Sequence, residues 1–221
     1  MCGRYSLTKL PETEVLVNED GDVVEWEPRY NIAPTNLCPI KSMHRPDVLQ
    51  LYRWGLIPFW AKDEKIGYRM INARAETLAE KPSFRNALEK GRCLVFADGF
   101  YEWKGKGKEK QPYRIHIKEK EPFMMAGLTE RWQAPSGEII HSFTIITTEP
   151  NVLTSEVHDR MPVILDPDSA RHWLSLSIRK EDALGLLQTY PADGMDMYQV
   201  DRAVGNVRND FPELIAPLNP Q

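Results

Sequence analysis

The alternation of apolar and polar positions through the middle of the chain predicts a series of β-strands. Apolar or alternating runs, separated by short polar turns, occupy residues 92–104, 112–117, 122–128 and 139–148. Runs of this length joined by short turns are typical of an antiparallel meander. Further strand candidates are 37–41, 48–54 and the opening CGRYSLT segment. A β-rich core is therefore the first expectation.

Helical patterning is confined to short segments. Residues 83–90 predict an amphipathic helix, with Pro82 near its start and Gly91 beyond its end. Residues 166–175 and 180–189 are also predicted helices, and Thr8 is a candidate cap for a short helix over 11–17. No internal repeat, linker or low-complexity tract interrupts the sequence. We therefore expect a single α+β domain over residues 1–221, with a largely antiparallel, barrel-like β core and flanking helices.

The charge balance limits how the protein could contact nucleic acid. Of 221 residues, 28 are basic and 32 are acidic, which gives a net charge of −4. Proteins that coat nucleic acid along their whole surface are usually strongly basic. A local basic site remains compatible with this composition, and it would contact only a few phosphates.

The cysteines and the N-terminal segment indicate where the protein works. Cys2, Cys38 and Cys93 form no CxxC pair, and an odd, sparse set is typical of a reducing cytosol. Residues 1–22 mix acidic and basic side chains without an apolar signal core, and no run approaches the roughly 20 apolar residues of a membrane span. We expect a soluble cytoplasmic protein. No spacing of cysteines and histidines matches a zinc site, so no metal or other cofactor is predicted.

Cys2 is the first candidate for chemistry because of its position. A Met that precedes a residue as small as cysteine is normally removed, which leaves Cys2 with a free α-amine beside its thiol. The α-amine has a reference pKa near 8, so roughly a tenth of it is neutral at pH 7. The amine can form an imine with an aldehyde, and the thiol can then close a five-membered thiazolidine. Position alone is equally compatible with a cysteine that has no function.

Three further segments carry candidate site residues. In INARAET (71–77), Asn72, Arg74 and Glu76 alternate, so an extended segment would place them on one face, where they could bind a phosphate and orient an amine. The alternative is an exposed polar face of an edge strand. In FADGFYEWK (96–104), Glu102 lies between two aromatic residues, which could desolvate it and raise its pKa. The alternative is a surface glutamate.

In VHDRMPVIL (157–165), His158 is set among charged residues before an apolar run, and imidazole is well matched to proton transfer near neutral pH. The other four histidines are interpreted as surface or strand residues. Phe59 and Trp60 could stack on bases, although core packing is the usual fate of such residues. The lysine-rich run at 104–110 could touch phosphates, but a solvated hairpin turn is the favoured interpretation.

Together these segments resemble the SRAP family of abasic-site processing proteins. The matching segments, in the order of the family, are MCGRY (1–5), RYNIAPT (29–35), WGLIPFW (54–60), INARAET (71–77), RCLVFADGFYEWK (92–104), VHDRMPVIL (157–165) and AVGNVRN (203–209). The resemblance implies a mixed fold with a barrel-like core and a groove for single-stranded DNA. It also implies a covalent thiazolidine between Cys2 and the ring-opened sugar of an abasic site, formed after Met1 is removed.

The resemblance also implies roles for individual residues. Asn72 matches the position that steadies the N-terminal amine, Glu102 the proton-transfer carboxylate, and His158 the residue linked to sugar ring opening, lyase chemistry and crosslink reversal. Arg4 and Arg74 match phosphate-holding positions. The predicted DNA-binding set is Arg4, Arg74, Phe59, Trp60, Trp103 and Arg160, and Phe59 falls where some relatives carry Trp.

The implied protein is an enzyme with lyase-type activity and an autoprocessing peptidase activity. Its expected partner is single-stranded DNA containing an abasic site. We expect it to act as a monomer, without a membrane or a metal, and to associate with the nucleoid when it is bound to damaged DNA.

Two other classes of function remain open at this point. N-terminal-nucleophile amidotransferases also begin Met-Cys-Gly and use the thiol as nucleophile, with the α-amine as base. The region after MCGRY lacks the further Arg- and Asn-Gly-containing motifs expected of them. A DNA-binding module without chemistry is the second alternative, and it would leave Asn72, Glu102 and His158 without a shared purpose.

Overall fold

The computed structural model describes residues 2–18, 20–118 and 122–218, without the side chain of Lys108. The strands in these ranges are β1 (Tyr5–Leu7), β2 (Leu16–Val17), β3 (Arg29–Ile32), β4 (Leu37–Ser42), β5 (Arg45–Trp54), β6 (Asn72–Arg74), β7 (Arg92–Ala97), β8 (Gly99–Lys104), β9 (Gln111–Ile117), β10 (Phe123–Gln133), β11 (Ile139–Thr148), β12 (Met161–Pro162), β13 (Ile164–Leu165) and β14 (Met195–Gln199). The α-helices are α1 (Arg85–Lys90), α2 (Pro167–Leu174) and α3 (Lys180–Gly185). Short 3₁₀ turns cover Glu64–Arg69, Ala75–Thr77, Gly107–Glu109, Thr154–Glu156, Ala192–Gly194, Arg202–Gly205 and Pro212–Ile215.

Five of these strands close into a barrel. They follow the order β5, β4, β7, β10 and β11, and β11 returns to pair with β5. The first four contacts are antiparallel, and the closing contact is parallel, with Ser142 opposite Arg53 and Phe143 opposite Trp54. Closure leaves no exposed edge on the central strands. The expectation of a barrel-like α+β fold is confirmed.

A second, five-stranded sheet runs alongside the barrel in the order β14, β9, β8, β1, β3. Its link to the barrel is Asp98, where the chain bends between β7 and β8. The Asp98 carboxylate accepts hydrogen bonds from Ser6 Oγ (2.5 Å) and Arg114 Nη2 (3.0 Å). Gly99 is required at this bend, because a Cβ there would lie 2.5 Å from Arg114 Nε. The bend therefore ties the N-terminal strand β1 to the β8–β9 hairpin.

The hydrophobic core continues from the barrel into the second sheet. Trp54 is fully buried, stacks on Phe143 with a centroid distance of 6.4 Å, and meets the edge of Tyr5 at 5.2 Å. Tyr5 belongs to β1, so one aromatic cluster joins the two sheets. A smaller cluster of Tyr101, Val200, Val204 and Leu214 packs the C-terminal segment onto the second sheet.

The described helices cover the barrel. Helix α2 begins with a cap in which Asp166 Oδ1 accepts from the backbone N–H groups of Asp168 and Ser169, with Pro167 in the first turn. Trp173 of this helix is fully buried. None of the helices in the described ranges is long and apolar enough to cross a membrane.

Most predicted elements are confirmed, and the exceptions have physical causes. The strands expected at 37–41, 48–54, 112–117 and 139–148 are present, the run 92–104 is divided at Asp98, and the helices expected at 83–90 and 180–189 are shorter. The helix predicted over 11–17 is wrong. Leu16 and Val17 instead form β2, which pairs with β5 and is buried. Tertiary pairing outweighs the local helical pattern there.

Candidate functional site

Cys2 lies immediately before β1 and its side chain is fully buried. Asn72 Nδ2 donates a 2.8 Å hydrogen bond to the Cys2 carbonyl oxygen. Asn72 is itself positioned by the parallel pairing of β6 with β11, which places it opposite Ile145. Asn72 Oδ1 is buried and has no hydrogen-bond partner among the described residues. The amide therefore holds the N-terminal backbone and leaves one acceptor available beside it.

Glu102 supplies a buried carboxylate from the second sheet. It lies on β8 opposite Tyr113 and is 3% exposed. Burial raises the pKa of Glu102 to about 7, so at neutral pH the group is poised between its acid and base forms. Burial, together with the negative charge of Glu102, raises the pKa of the Cys2 thiol well above its usual value. The thiol is therefore neutral at pH 7 and has a titrating carboxylate nearby.

His158 faces this carboxylate from the rim of the barrel. It follows the turn Thr154–Glu156, and its Nε2 lies 3.9 Å from Glu102 Oε2. Its Nδ1 lies 2.8 Å from Asp159 Oδ1 and accepts a 3.1 Å hydrogen bond from the Arg160 N–H. Burial lowers the pKa of His158 below its ordinary value, which leaves a neutral imidazole at pH 7. Both contacts engage Nδ1, so Nε2 is the nitrogen directed at Glu102.

The structure brings the four predicted catalytic residues together at the junction of the two sheets. Cys2 and Glu102 come from the second sheet, and Asn72 and His158 come from elements attached to β11. Neighbouring members are linked in turn: Asn72 to Cys2, Cys2 to Glu102, and Glu102 to His158. The arrangement combines a thiol, a titrating acid and a neutral imidazole, a set suited to proton transfer around a covalent adduct.

Two predicted DNA-binding residues form the wall next to Cys2. Arg4 is 9% exposed, and its Nη1 donates 2.7 Å hydrogen bonds to Asn31 Oδ1 and to the Val204 carbonyl. Its guanidinium lies 5.9 Å from the centre of the half-buried Trp103 ring. Arg74 is exposed on β6, two residues beyond Asn72. The two arginines thus differ, since Arg4 is anchored in the fold and Arg74 faces solvent.

Arg160 is committed to an internal partner. Its Nη1 and Nη2 form a bidentate ion pair with Glu76 at 2.8 and 2.9 Å, and Nη2 also donates to the Thr147 carbonyl at 2.6 Å. The expected shared face of Asn72, Arg74 and Glu76 is corrected here. The extended backbone ends at Arg74, and Glu76 lies in the 3₁₀ turn Ala75–Thr77.

Phe59 and Trp60 are exposed by 57% and 47%, so a place in the core is excluded for both. They lie in the segment between β5 and β6. Among the described residues, no group of three or more His, Cys, Asp or Glu side chains is arranged to hold a metal ion.

The sequence pattern did not single out Asn31, Asp98 or Arg114, which hold the site in place. Asn31 Nδ2 donates to the carbonyl groups of Val204, Asn206 and Asn209, which binds the C-terminal loop to β3. Arg114 is buried and pairs with Asp98 across the β8–β9 hairpin. Asp98 was visible only as part of an Asp-Gly bend. The partners of all three residues are distant in sequence, so local patterns contain no indication of them.

A closed barrel, an attached antiparallel sheet and a buried Cys–Glu–His site at their junction define a class of α+β proteins whose candidate chemistry centres on a cysteine at position 2. The family described as SOS response associated peptidase (SRAP) matches residues 1–207, and the chain belongs to this family.

Relatives across bacteria and vertebrates share this sequence over most of its length. The abasic site processing protein YoqW of Bacillus subtilis (strain 168) is 48% identical over 97% of this chain and 99% of its own. The abasic site processing protein YedK of Escherichia coli (strain K12) is 33% identical over 99% and 100%. The abasic site processing protein HMCES of Xenopus tropicalis is 37% identical over 90% of this chain and 69% of its own. A crystal structure of a protein from Bacteroides thetaiotaomicron superposes with a TM-score of 0.81 at 34% identity, covering 87% of each chain.

Proposed function

We propose that this protein recognises abasic sites in single-stranded DNA and, after removal of Met1, becomes joined to them through Cys2 as a thiazolidine. The observation that carries the proposal is the linked set of Asn72, Cys2, Glu102 and His158 at the junction of the two sheets. The printed names of the relatives, which are abasic site processing proteins, supply the substrate class.

The proposed adduct forms in two steps. The α-amine of Cys2 adds to the aldehyde of the ring-opened sugar, and loss of one water gives an imine. The thiol sulfur then bonds to the imine carbon, and a proton passes from sulfur to nitrogen. The amine acts first because the thiol has a raised pKa and is neutral. Asn72 Oδ1 is the acceptor that would orient the amine.

Glu102 is the group that moves protons between these steps. With a pKa of about 7, its acid form can protonate the departing hydroxyl, and its carboxylate can then accept the thiol proton. No external acid or base is needed, because the proton released in the second step restores the group used in the first. Closing the ring within one residue also places the thiol at high effective concentration.

His158 is proposed to act on the sugar from the other side of Glu102. A neutral imidazole can assist opening of the sugar ring by taking the hydroxyl proton. At the imine stage, removal of a proton from sugar C2′ would expel the 3′ phosphate, which is lyase chemistry. Thiazolidine closure consumes the same imine, so we propose that crosslinking and strand cleavage compete.

DNA contact is proposed to involve few phosphates, as the net charge of −4 requires. Arg74 is exposed beside Asn72, while Arg4 and Trp103 line the wall near Cys2. Arg160 would reach a phosphate by exchanging its Glu76 partner. We further propose that the protein removes its own Met1, acts as a monomer in the cytoplasm, and associates with the nucleoid when it is bound to damage.

The test is incubation of the protein lacking Met1, verified by intact mass, with a single-stranded oligonucleotide that carries one abasic site. We expect a crosslink that survives denaturing electrophoresis, with a mass equal to the sum of the two molecules less one water. Cys2→Ala should abolish it. Cys38→Ala, which alters another buried cysteine, should retain it. A reduced abasic site without an aldehyde should give no product.

Absence of any crosslink with correctly processed protein would rule out the covalent mechanism. Release of glutamate or cleavage of a peptide by that same protein would then support the N-terminal-nucleophile hydrolase. Unchanged single-strand binding by Cys2→Ala without any adduct in the wild type would support a binding module instead.

A further inference from the structure

The segment between β5 and β6 presents three exposed aromatic rings. Phe59, Trp60 and Tyr68 are exposed by 57%, 47% and 58%. Large aromatic side chains are usually well buried, so three of them on one short excursion indicate a surface with a partner. We refer to Pro58–Arg69 as the aromatic arm.

The charges of the aromatic arm favour a polyanionic partner. Lys62, Lys65 and Arg69 are exposed. The two acidic groups are engaged locally, since Asp63 Oδ1 accepts the Lys65 backbone N–H at 2.9 Å and Glu64 pairs with Arg53 of β5 at 2.6 Å. Exposed rings interleaved with cations are what a nucleic acid strand requires, with bases stacking on rings and phosphates meeting cations.

The arm is clamped at its root by two glycines. A Cβ on Gly55 would lie 2.7 Å from the Gly67 carbonyl oxygen, and a Cβ on Gly67 would lie 2.7 Å from that of Gly55. Gly55 also has a φ of +118°, which other residues rarely adopt. The Leu56 N–H donates to the Met70 carbonyl at 3.1 Å. Only glycine at both positions allows the two ends of the arm to meet this closely.

The middle of the arm is attached to the barrel, and its root adjoins the site. Trp132 Nε1 of β10 donates to the Ala61 carbonyl at 2.7 Å. Met70, where the arm ends, is two residues before Asn72, and Trp54, just before Gly55, packs against Tyr5 of β1. The arm is therefore preorganised at the wall of the Cys2 site, which lowers the entropic cost of binding.

We propose that the aromatic arm is a nucleic-acid contact surface that extends recognition beyond the abasic nucleotide. In this assignment Tyr68 stacks on a flanking base, Lys62 and Lys65 meet flanking phosphates, and the Gly55–Gly67 contact positions all three. The inference rests on the proposed function, because it takes the partner of the arm to be the strand that carries the lesion.

The experiment measures crosslinking rate as a function of the length of DNA around the lesion. Oligonucleotides carry one abasic site with flanks that grow from one nucleotide to a full arm's reach, first on one side and then on the other. The readout is the ratio of the rate on the longest to the rate on the shortest oligonucleotide, at subsaturating protein. Tyr68→Ala should reduce this ratio about tenfold, the equivalent of about 1.4 kcal/mol of base stacking.

Two further variants separate the parts of the assignment. Lys62→Glu combined with Lys65→Glu should lower the same ratio and reduce the dependence of binding on salt. Gly67→Ala should reproduce the loss seen with Tyr68→Ala, although Tyr68 is intact. Leu176→Ala, which removes a side chain that is 69% exposed elsewhere on the surface, is the matched control and should leave the ratio unchanged.

The outcomes distinguish the inference from the function on which it rests. An unchanged ratio in Tyr68→Ala and in the double lysine variant, with crosslinking intact, overturns the arm assignment alone. If the wild type forms no crosslink on any oligonucleotide, the proposed function fails. Binding of undamaged single strands then decides the arm: weaker binding by Tyr68→Ala supports it, and equal binding rejects it. Because Tyr68 is exposed, this variant should unfold at the wild-type temperature.

Discussion

The barrel and the second sheet bury very different side chains. Inside the barrel, the fully buried groups are mainly apolar, such as Trp54, Phe143 and Ile145, with hydroxyl groups as the main polar additions. The second sheet buries Arg4, Asp98, Glu102 and Arg114 in and beside its strands. Burial of apolar surface stabilises a fold without direction, whereas burial of a charge costs free energy unless it is paired. The barrel is therefore a scaffold, and the second sheet bears the electrostatic cost of the site.

The buried charges of the second sheet are accommodated in two ways. Asp98 and Arg114 pair at 3.0 Å, and the Asp98 carboxylate is further satisfied by Ser6 and Thr8. Glu102 is accommodated by a raised pKa, which reduces its charge at neutral pH. The paired group builds the site and the titrating group is left for its chemistry. Arg92, at the start of β7, is a buried charge of the barrel itself, and helix-end carbonyls such as Leu88 and Trp173 accept its donors.

The largest loss of stability is expected for Phe143→Ala in the barrel. Removing a fully buried ring that stacks on Trp54 should cost about 3 to 5 kcal/mol. Because the lost interactions are apolar, the loss should be the same at pH 6 and pH 9 and should not depend on salt. Urea unfolding at both pH values measures it. Val152→Ala, at a position that is 80% exposed, is the control. A pH-dependent loss in Phe143→Ala would contradict the contrast drawn between the two regions.

A comparable loss is expected for Asp98→Ala in the second sheet, for a different reason. The variant leaves Arg114 buried without its carboxylate, which should cost about 3 to 5 kcal/mol. It also releases Ser6 and Thr8, so strand β1 should loosen and crosslinking should fall by more than Phe143→Ala reduces it. Hydrogen exchange of β1 amides reports the loosening. Asp47→Ala, which alters an exposed aspartate, should change neither property.

Glu102→Gln should stabilise the protein at high pH. The folded pKa of Glu102 is about 7, above its ordinary 4.5, so the stability that this group contributes is present at low pH and lost as pH rises through 7. The wild type should lose up to about 3 kcal/mol between pH 5 and pH 9 through this group, and the variant should not. Urea midpoints across this range test the difference.

The same substitution should remove the proton-transfer step. The crosslinking rate of the wild type should therefore change with a midpoint near pH 7, and that midpoint should be absent in Glu102→Gln. Phe143→Ala should keep it, since the barrel does not titrate there. A variant that retains the wild-type pH profile would show that Glu102 is not the titrating group.

The smallest effect is expected for Glu76→Gln. The Glu76 side chain is 46% exposed, so the loss of its ion pair with Arg160 should cost no more than about 1 kcal/mol. Arg160 would then be available to a phosphate, and single-strand binding should become tighter and gain about one unit of salt dependence. Fluorescence anisotropy at several salt concentrations measures both. Unchanged or weaker binding would indicate that Arg160 holds His158 in place without contacting DNA.

A large share of the fold was predictable because it is written in local periodicity. The alternation over 112–117 and 139–148 predicted strands that are present with nearly the same bounds. The failures occurred where pairing with a distant strand decided the outcome, as for β2, or where a buried carboxylate bent the chain, as at Asp98. Barrel closure depends on the contact between β5 and β11, which are far apart in sequence.

For the candidate site, the sequence by itself determined the reactive residue types: a cysteine at position 2, a glutamate between aromatic residues, and a histidine beside charged neighbours. Tertiary structure alone decided that Glu102 is buried enough for its pKa to rise, that His158 faces it, and that Arg160 is held by Glu76. Those properties depend on solvent exclusion and on distances between residues far apart in the chain. A linear pattern contains neither quantity, because both arise only when the two sheets meet.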